Sequence, residues 1–518
     1  MGALDYTTYA SQGHPPYSNG PLKFPYQRPP PDKRTYHVPE VEEVIEQMNQ
    51  RLKDKDLARM FENCYPNTVD TTAKWVHTGR QAGDSGADGD GLPGAHIIAG
   101  DMDAAWLRDN VWQLQPYTPL LATSPALRAL WLGVLHTQSR NLIRHPYTNA
   151  FQPPPESGLA PVAEHVVDTA KDRVVPPFDP RVSFEAKYSL DSLAALLRLA
   201  RVYDEQTWTD GGTGGNRGGF DAVAPAVVAA AHAILRVVEA QSLPTFDEGR
   251  SDTGLTPVQY SFQRATLAPS ITTKSNPYHG SDTIANAGVG NPVRGGTGLV
   301  RSAFRASDDA CILPFWIPGN AFLAVELMGA AAYLQRYDPA VAAAAARRGQ
   351  QIRDGIYQHG VFTHSQFGKI FAYEVDGYGS RIVMDDASPP SLLALPYLGF
   401  CARDDPVYRN TRAMVLSRAG NPYYVVGTVL HGQGSPHIDL ATMWPVGTAL
   451  RLLTSDDDAE ILAELEQAKR ASGGLGLMHE GVDVNDPKNF VRTWYAWGNS
   501  AFGDAIVDLA QRKPHLLF

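Results

Sequence analysis

Apolar residues recur along most of this chain at spacings of three and four, the period of a helix with one buried face. The pattern starts at Val38 and continues through Val41, Val44, Ile45 and Met48. Helix-length stretches then alternate with connections rich in Gly, Pro and Asp. This alternation predicts helices near residues 104–121, 125–143, 184–204, 221–241, 318–336, 339–357, 389–401, 406–418, 437–453, 456–470 and 494–511.

The segments between these helices are predicted to be short strands or loops. Strands are predicted at Lys369–Val375, Arg381–Met384 and Tyr423–Val426. A loop as long as 251–300 inside a compact domain is usually either functional or disordered. The other long or Gly-rich loops are predicted at Asp84–Gly94, 144–182, 205–220 and, within the last of these, Asp210–Gly219.

About a dozen helices joined in sequence by polar loops predict an all-α fold, an (α/α)6 barrel with a few short β-hairpins in its loops. The inner helices of such a barrel are packed on both sides, and Ala321–Tyr333 has the apolar composition that this requires. Outer helices keep a charged face, as in Asp456–Arg470. An α-solenoid is the alternative architecture, but no repeat of fixed period supports it.

Composition bounds the domain organisation and the partners. The chain has 518 residues, of which 43% are hydrophobic and 19% charged, so a large folded core is expected. Residues 1–36 are rich in Pro and Tyr and are predicted to form an extended or disordered arm, and 37–518 a single catalytic domain. The net charge of −10 and the lack of a basic run argue against a nucleic-acid partner.

The cysteines and the N-terminus bear on metal sites and compartment. Cys64, Cys311 and Cys401 are scattered, without zinc-ligand spacing, so neither a metal site nor a disulfide framework is expected. No apolar run approaches the length of a membrane span, and no membrane association is predicted. The chain shows no signal peptide and no glycosylation acceptor, which favours an intracellular location unless a leader was removed. The oligomeric state is left open.

Five segments concentrate acidic and aromatic residues beside predicted core. The first contains Asp103, Trp106, Arg108 and Asp109 where a loop enters a helix. Capping of that helix and a structural ion pair would explain the charges. Alternatively, the guanidinium and the carboxylates bind vicinal sugar hydroxyls while the indole covers the ring.

The second segment is Arg305-Ala306-Ser307-Asp308-Asp309. Adjacent carboxylates repel each other, and the repulsion raises one pKa, as a general acid near neutral pH requires. The alternative is an N-cap followed by a solvated Asp.

The remaining segments supply further candidate ligands and a base. Asp376, Asp385 and Asp386 lie near aromatic residues around a Gly-rich turn, although Asp386 also suits a helix cap. His437 precedes a predicted helix, and a lone His is more often structural than a ligand. Glu480 follows a Gly-rich loop and precedes a cluster that includes Trp497, so it is either a general base or a surface residue.

Together the five segments resemble glycoside hydrolase family 125, the metal-independent exo-α-1,6-mannosidases. The similarity runs in the same order over roughly residues 38–512. The most specific match is the YEVDGYG and MDDASPPSLLALPYLG run, and the matching stretches are GDMDAAWLRDN, SAFRASDDA, IFAYEVDGYGSRIVMDDASPPSLLALPYLGF, NPYYVVGTVLHGQGSPH and GLMHEGVDVNDPKNFVRTWYAWGNSAFGDAI.

This resemblance implies an (α/α)6 barrel and an inverting hydrolase that removes non-reducing terminal α-1,6-linked mannose from mannose-containing glycans without a metal. No other cofactor is expected. It implies Asp308 as general acid, with Asp309 as second choice, and Glu480 as general base. The residues expected around the terminal mannose are Trp106, Arg108, Asp109, Arg305, Asp385, Asp386 and His437.

The chain departs from the family pattern beside these positions. Met102-Asp103 stand where the family more usually has Ile-Pro, Ala306 replaces a usual Pro, and Gly481-Val482 replace Ser-Phe. These changes bear on linkage preference and rate. Another inverting glycosidase or a phosphorylase on the same barrel, and a non-catalytic glycan-binding protein, are the alternative functions.

Overall fold

The computed structural model describes residues 4–79, 91–162, 169–208, 219–247, 249, 253–264 and 281–518. Most of the two predicted Gly-rich loops, Asp84–Gly94 and Asp210–Gly219, lies outside the described residues. The α-helices in the described part are α1 (Tyr6–Ala10), α2 (Pro39–Arg51), α3 (Lys55–Cys64), α4 (Leu107–Leu114), α5 (Pro125–Arg144), α6 (Leu190–Thr207), α7 (Phe220–Ala240), α8 (Ala285–Gly288), α9 (Ile317–Leu334), α10 (Pro339–Gly355), α11 (Pro406–Val415), α12 (Pro445–Thr454), α13 (Asp458–Ala471), α14 (Ala496–Arg512) and α15 (Pro514–Leu517).

The long helices form an (α/α)6 barrel, as predicted. Its inner ring runs through α4, α6 and α9, and closes where α12 packs on α14 and α14 packs on α4. Between α9 and α12 the ring is completed by the buried segment 391–398, whose Tyr397 donates to Asp504 of α14 and lies against Trp112 of α4. The outer helices are α3, α5, α7, α10, α11 and α13.

The inner helices are buried over more of their surface than the outer helices, as their compositions predict. Every residue of α4 is buried, and α9 is buried on most of its circumference between α6 and α10. In contrast, α13 buries one side through Ile461, Leu465 and Ala468, and leaves Glu466 exposed. The inner ring therefore supplies the core, and the outer ring supplies the solvated surface.

The strands are short and pair antiparallel in small sheets at the ends of the helices. Three of these sheets each lead into an inner helix, and a tryptophan (Trp106, Trp316 or Trp444) occupies the N-cap position of that helix. The strands in the described part are β1 (Ala73–His77), β2 (Gly94–Ile97), β3 (Ala105–Trp106), β4 (Ala150–Phe151), β5 (Arg173–Val175), β6 (Ser183–Glu185), β7 (Ser261–Gln263), β8 (Phe315–Trp316), β9 (Val361–His364), β10 (Gly368–Phe371), β11 (Glu374–Val375), β12 (Arg381–Ile382), β13 (Tyr424–Val426), β14 (His431–Gln433), β15 (Thr442–Met443), β16 (Gly481–Asp483) and β17 (Phe490–Val491).

The helix predicted at 184–204 begins only at Leu190, after β6, and two other predicted helices differ more. Residues 389–401 form successive turns instead of a helix, because the Asp385 carboxylate accepts the amides of Leu392 and Leu393 and so replaces helical bonding there. The helix predicted at 437–453 begins only at Pro445, since residues 442–443 pair with β16. Both departures place irregular backbone beside the inner ring.

Two helices of the described part, α7 and α9, are long and apolar enough to cross a membrane by length and composition. The sequence analysis had predicted no apolar run of that length. About half of the apolar window of α7 and 72% of that of α9 are buried inside the protein. The core of the barrel therefore accounts for their composition.

Residues 4–36 pack against the barrel through both apolar and charged contacts. Tyr6 stands edge-on to Trp494, with ring centroids 5.2 Å apart, and Phe24 is buried beside Gly476. Arg28 forms an ion pair of 2.7 Å with the buried Asp70. The boundary predicted at residue 36 stays a prediction, but these contacts tie the N-terminal residues to loops that lead into the cleft described below.

The Arg28–Asp70 pair gives a test of this attachment. Replacing Arg28 by Met leaves a buried carboxylate with only the more distant Arg34, 3.7 Å away. We expect Arg28→Met to lower the free energy of unfolding by about 3 kcal/mol or more. Lys33→Met, which removes a partly exposed cation 3.9 Å from Asp32, should change it by less than about 1 kcal/mol. Urea unfolding followed by tryptophan fluorescence measures both, and equal losses would contradict the expectation.

Candidate active site

A cleft opens at the end of the barrel where the inner helices begin. It encloses about 950 Å³, including its mouth. Side chains from widely separated segments meet there, and most of them are acidic, basic or aromatic. Its lining residues are Ala99, Asp101, Met102, Trp106, Arg108, Asp109, Thr169, Phe184, Glu185, Lys187, Ser281, Asp282, Ala306, Ser307, Asp308, His437, Trp444, Glu480, Arg492, Tyr495 and Trp497.

Asp308 faces the cleft from a tight turn. Its φ of 66° is left-handed, a conformation that Asp tolerates better than most residues. The turn is closed by the Asp308 amide, which donates to the Arg305 carbonyl, while Lys187 donates to the Asp308 carbonyl at 3.2 Å. The Asp308 carboxylate accepts both Arg108 terminal nitrogens, at 3.2 and 3.5 Å. This carboxylate is therefore held in position while it remains 19% exposed.

Asp309 is buried and is bound by other side chains. It accepts hydrogen bonds from Ser281, at 2.6 Å, and from Ser307, and it pairs with His437 Nδ1 at 2.9 Å. Burial acts to raise the pKa of Asp309, but His437 and Ser281 hold it below its ordinary value. Adjacent carboxylates thus occupy different environments, with Asp308 in the cleft and Asp309 behind it.

His437 lies in the cleft as the partner of Asp309. Burial acts to lower its pKa, but the charge and hydrogen bond of Asp309 outweigh burial, and Glu480 and Asp308 add to them. The pKa of His437 is thereby raised to about 9. The imidazole is a cation at neutral pH, and its ring stands edge-on to Trp444.

Glu480 reaches the same cleft from the loop before β16. It is largely buried and accepts a hydrogen bond of 3.0 Å from Arg492 Nε. Arg492 also donates to both oxygens of Asp101 at 2.6 Å. Because the guanidinium is shared between two carboxylates, Glu480 is fixed in orientation without receiving all of its charge.

Arg108 occupies the floor of the cleft among several carboxylates. Besides Asp308, it lies 3.3 Å from Asp109 and 3.7 Å from Asp191. Burial raises the pKa of Asp109 to about 7, although Arg108 acts in the opposite direction. The guanidinium also lies over the Trp497 ring, 5.2 Å from its centroid.

Indole groups complete the walls of the cleft. Trp106, Trp444 and Trp497 are largely buried, and none of their N–H groups has a hydrogen-bond partner among the described residues. A buried donor without a partner is costly and calls for an acceptor. Indole faces and N–H donors beside carboxylates form the set of contacts that sugar rings and hydroxyls require.

The structure brings together seven of the sequence-predicted site residues in this cleft: Asp308, Glu480, Trp106, Arg108, Asp109, His437 and Trp497. Asp309 lies directly behind them. Two others form supports further back. Arg305 pairs with the buried Glu374 at 2.6 Å, and Asp386 accepts a hydrogen bond from Ser435.

Three predicted site residues are engaged elsewhere. Asp376 accepts the amides of Tyr378, Gly379 and Ser380 and so organises a turn. The Asp385 carboxylate bonds the turn segment after it and Gln433, and burial raises its pKa to about 7. Asp103 is exposed, and the structure does not place it among the residues lining the cleft.

Several cleft residues were not identified from the sequence. Lys187 lies 3.5 Å from Glu185 and 3.6 Å from Asp282, and Arg264 joins the latter two at 2.8 Å each. Glu185 and Lys187 stand between Phe184 and Tyr188 without an acidic pair beside them, and Arg264 and Asp282 stand singly in the sequence. The other charged or aromatic residues missed were Asp101, Phe184, Trp444, Arg492 and Tyr495 in the cleft and Asp191 beside Arg108. Of these, Asp101, Arg492 and Tyr495 lay within segments that the sequence analysis had singled out.

The described residues contain no group of three or more His, Cys, Asp or Glu side chains able to hold a metal ion. Carboxylates fixed as Asp308 and Glu480 are fixed here are suited to exchange protons with a substrate or a water.

An (α/α)6 barrel whose inner helices begin at a cleft of carboxylates, arginines and indoles fits the class of glycoside hydrolases. The family model for metal-independent α-mannosidases, GH125, matches residues 54–507. The chain therefore belongs to the GH125 family of metal-independent α-mannosidases, as the sequence motifs predicted.

Two relatives extend this comparison. The meiotically up-regulated gene 157 protein of Schizosaccharomyces pombe is 46% identical over 99% of this chain and 94% of its own length. A metal-independent α-mannosidase structure from Streptococcus pneumoniae, a non-productive complex with α-1,6-mannobiose, has a TM-score of 0.74 and 32% identity. The match covers 92% of this chain and 99% of that chain.

The His437–Asp309 pair predicts a pH-dependent contribution to stability. The folded pKa of about 9 exceeds the ordinary 6.5, so the contribution is fully present below pH 6.5 and is lost as pH rises through 9. The shift corresponds to about 3 kcal/mol at most. We therefore expect His437→Gln to destabilise the protein strongly at pH 6 and weakly at pH 10.

Urea unfolding at both pH values measures this difference. Leu440→Ala, a change at an exposed apolar residue of the same loop, provides a control whose effect should be the same at both. A destabilisation by His437→Gln that stays constant with pH would contradict the assigned charge.

Proposed function

We propose that this protein is an inverting exo-α-1,6-mannosidase that removes terminal α-mannose from mannosides or N-glycan-type mannans. The observation that supports this most is the shared cleft of Asp308 and Glu480. They come from separate loops, and each is oriented by its own arginine. An acid and a base on opposite sides of one sugar are what single-displacement glycoside hydrolysis requires.

Asp308 is the proposed general acid. It is exposed to the cleft, whereas Asp309 is occupied by His437 and two serines. Asp308 donates its proton to the glycosidic oxygen as the bond to the anomeric carbon breaks. Its carboxyl is steadied by Arg108, whose charge is divided among Asp308, Asp109 and Asp191.

Glu480 is the proposed general base. It takes a proton from a water molecule, which attacks the anomeric carbon from the face opposite the leaving oxygen. Inversion needs space for this water, so the two carboxyls should lie about 6.5–9.5 Å apart. The first product is then β-mannose.

Other cleft residues are proposed to hold the terminal mannose. Asp109 and Arg108 lie deep in the cleft, where they are suited to pair with vicinal hydroxyls. The rings of Trp106 and Trp497 line the cleft and offer apolar faces to the sugar ring, and Trp444 forms another wall. The α-1,6-mannobiose bound by the Streptococcus pneumoniae relative supports this linkage as the first to test.

The charge pairing in the cleft weighs against a phosphorylase. Such an enzyme needs cations available for phosphate. Lys187, His437 and Arg492, like Arg108, each face a carboxylate among the described residues. Turnover should therefore be independent of phosphate.

Two measurements on α-1,6-mannobiose test the proposal. Proton NMR of the early reaction should show β-mannose before mutarotation. Asp308→Asn and Glu480→Gln should each lower kcat about 10²–10⁴-fold, because each removes one proton-transfer group.

Asp439→Asn provides a matched carboxylate-to-amide control on the loop after His437, and its kcat should stay near wild type. Release of α-mannose would contradict inversion. Near-normal kcat in either proton-transfer variant would refute the role assigned to that residue, and mannobiose binding without hydrolysis by wild type would favour a glycan-binding protein.

A further inference from the structure

Asp191 is a buried carboxylate outside the sequence motifs, and the proposed mechanism gives it no role beyond its contact with Arg108. It lies in the first turn of α6, and its side chain is completely buried. Ser189 is the N-cap residue of α6, and a carboxylate in the turn that follows often serves only to complement the helix dipole. Neither oxygen of Asp191 is within hydrogen-bond geometry of a described donor, and the Ser189 hydroxyl and the Asp191 amide nearby stabilise its charge only in part.

Asp191 is linked to the cleft through its charged neighbour. Its charged neighbour is Arg108, with Nη1 3.7 Å from Asp191 Oδ2. The same nitrogen donates to Asp308 at 3.2 Å. Burial raises the pKa of Asp191, while Arg108 and the Ser189 hydroxyl act to lower it. Arg108 is the one cation within 4 Å of this buried carboxylate among the described residues, and such a carboxylate is costly to keep, so a role through that cation is expected.

Resting on the proposed function of Asp308, we propose that Asp191 is a positioning residue that shares the charge of Arg108 and thereby keeps Asp308 able to donate its proton. Arg108 forms ion pairs with Asp191 on α6 and with Asp109 on its own helix, α4. If it were not shared, its guanidinium would bind Asp308 as a full ion pair and favour the deprotonated carboxylate.

Other charged and polar groups also act on Asp308 and Asp109. Lys187 donates to the Asp308 carbonyl, and Asn149 donates to the Asp308 carboxylate at 3.4 Å. His437 is a cation that interacts with Asp308, and Glu480 interacts with Asp109. None of these groups changes when Asp191 is replaced by Asn, a residue of the same shape without the charge.

A comparison of leaving groups tests the proposal. A general acid matters for α-1,6-mannobiose, whose leaving alkoxide needs a proton, and matters little for 2,4-dinitrophenyl α-mannoside, whose phenolate leaves unassisted. We expect Asp191→Asn to lower kcat on mannobiose about 10-fold or more and to change kcat on the aryl mannoside less than about 3-fold. The alkaline limb of the mannobiose pH profile should move to lower pH, because Arg108 is then shared less.

The controls separate this inference from the proposed function. Asp308→Asn should show the same selectivity in stronger form. Glu205→Gln, an acid-to-amide change at an exposed residue of the same helix, should leave both rates unchanged. If Asp308→Asn slows both substrates equally, the acid assignment fails and this inference fails with it.

A second outcome overturns the inference alone. In it, Asp308→Asn slows mannobiose more than the aryl mannoside, but Asp191→Asn slows both substrates equally or slows neither of them. Thermal unfolding and near-ultraviolet circular dichroism check that the Asn variant is folded. Should it not fold, Asp191→Ser in the same two assays gives the decisive comparison, with the same selective loss expected.

Discussion

The buried guanidinium of Arg108 is the interaction on which the cleft depends. A charge so deeply buried is tolerated only when carboxylates surround it, and here they come from its own helix, from the next inner helix and from the loop before α9. Asp109, Asp191 and Asp308 are therefore drawn to one point. This pairing helps to hold Asp308 in its left-handed turn facing the cleft. The first turns of α4 and α6 are rigid parts of the barrel. They hold Asp109 and Asp191 at separate positions around the guanidinium, apart from each other and from Asp308.

Glu480 is held by a similar arrangement on another part of the cleft. Arg492 bridges Glu480 and Asp101, so a second guanidinium is divided between a proposed proton-transfer group and a neighbouring acid. In both cases a shared arginine fixes a carboxylate geometrically, while its charge is partly satisfied elsewhere. This arrangement reconciles two needs of acid–base chemistry, which are an exact orientation and a protonation state that remains adjustable.

The sequence predicted the barrel well where helices have one clear apolar face and a Pro or Asp near the start, as at Pro339 and Pro406. It failed at 389–401, because the bonding of Asp385 to Leu392 and Leu393 is a tertiary choice that periodicity does not reveal. In the site, motifs marked residues that stand in dense acidic or aromatic runs. Asp191 escaped notice because a single acid in a helical first turn reads as a dipole partner.

The contrast between Asp308 and Asp309 shows what the local sequence can and cannot predict about neighbouring carboxylates. Adjacency alone predicts mutual repulsion and one raised pKa, without saying which carboxylate is affected. In the fold, the left-handed backbone at Asp308 turns the two side chains apart, so their partners govern them more than their mutual repulsion does. Asp309, bound to a cationic His437, is stabilised as an anion. An anion committed to that pair is a poor proton donor, and this is why the proposed acid is the residue before it.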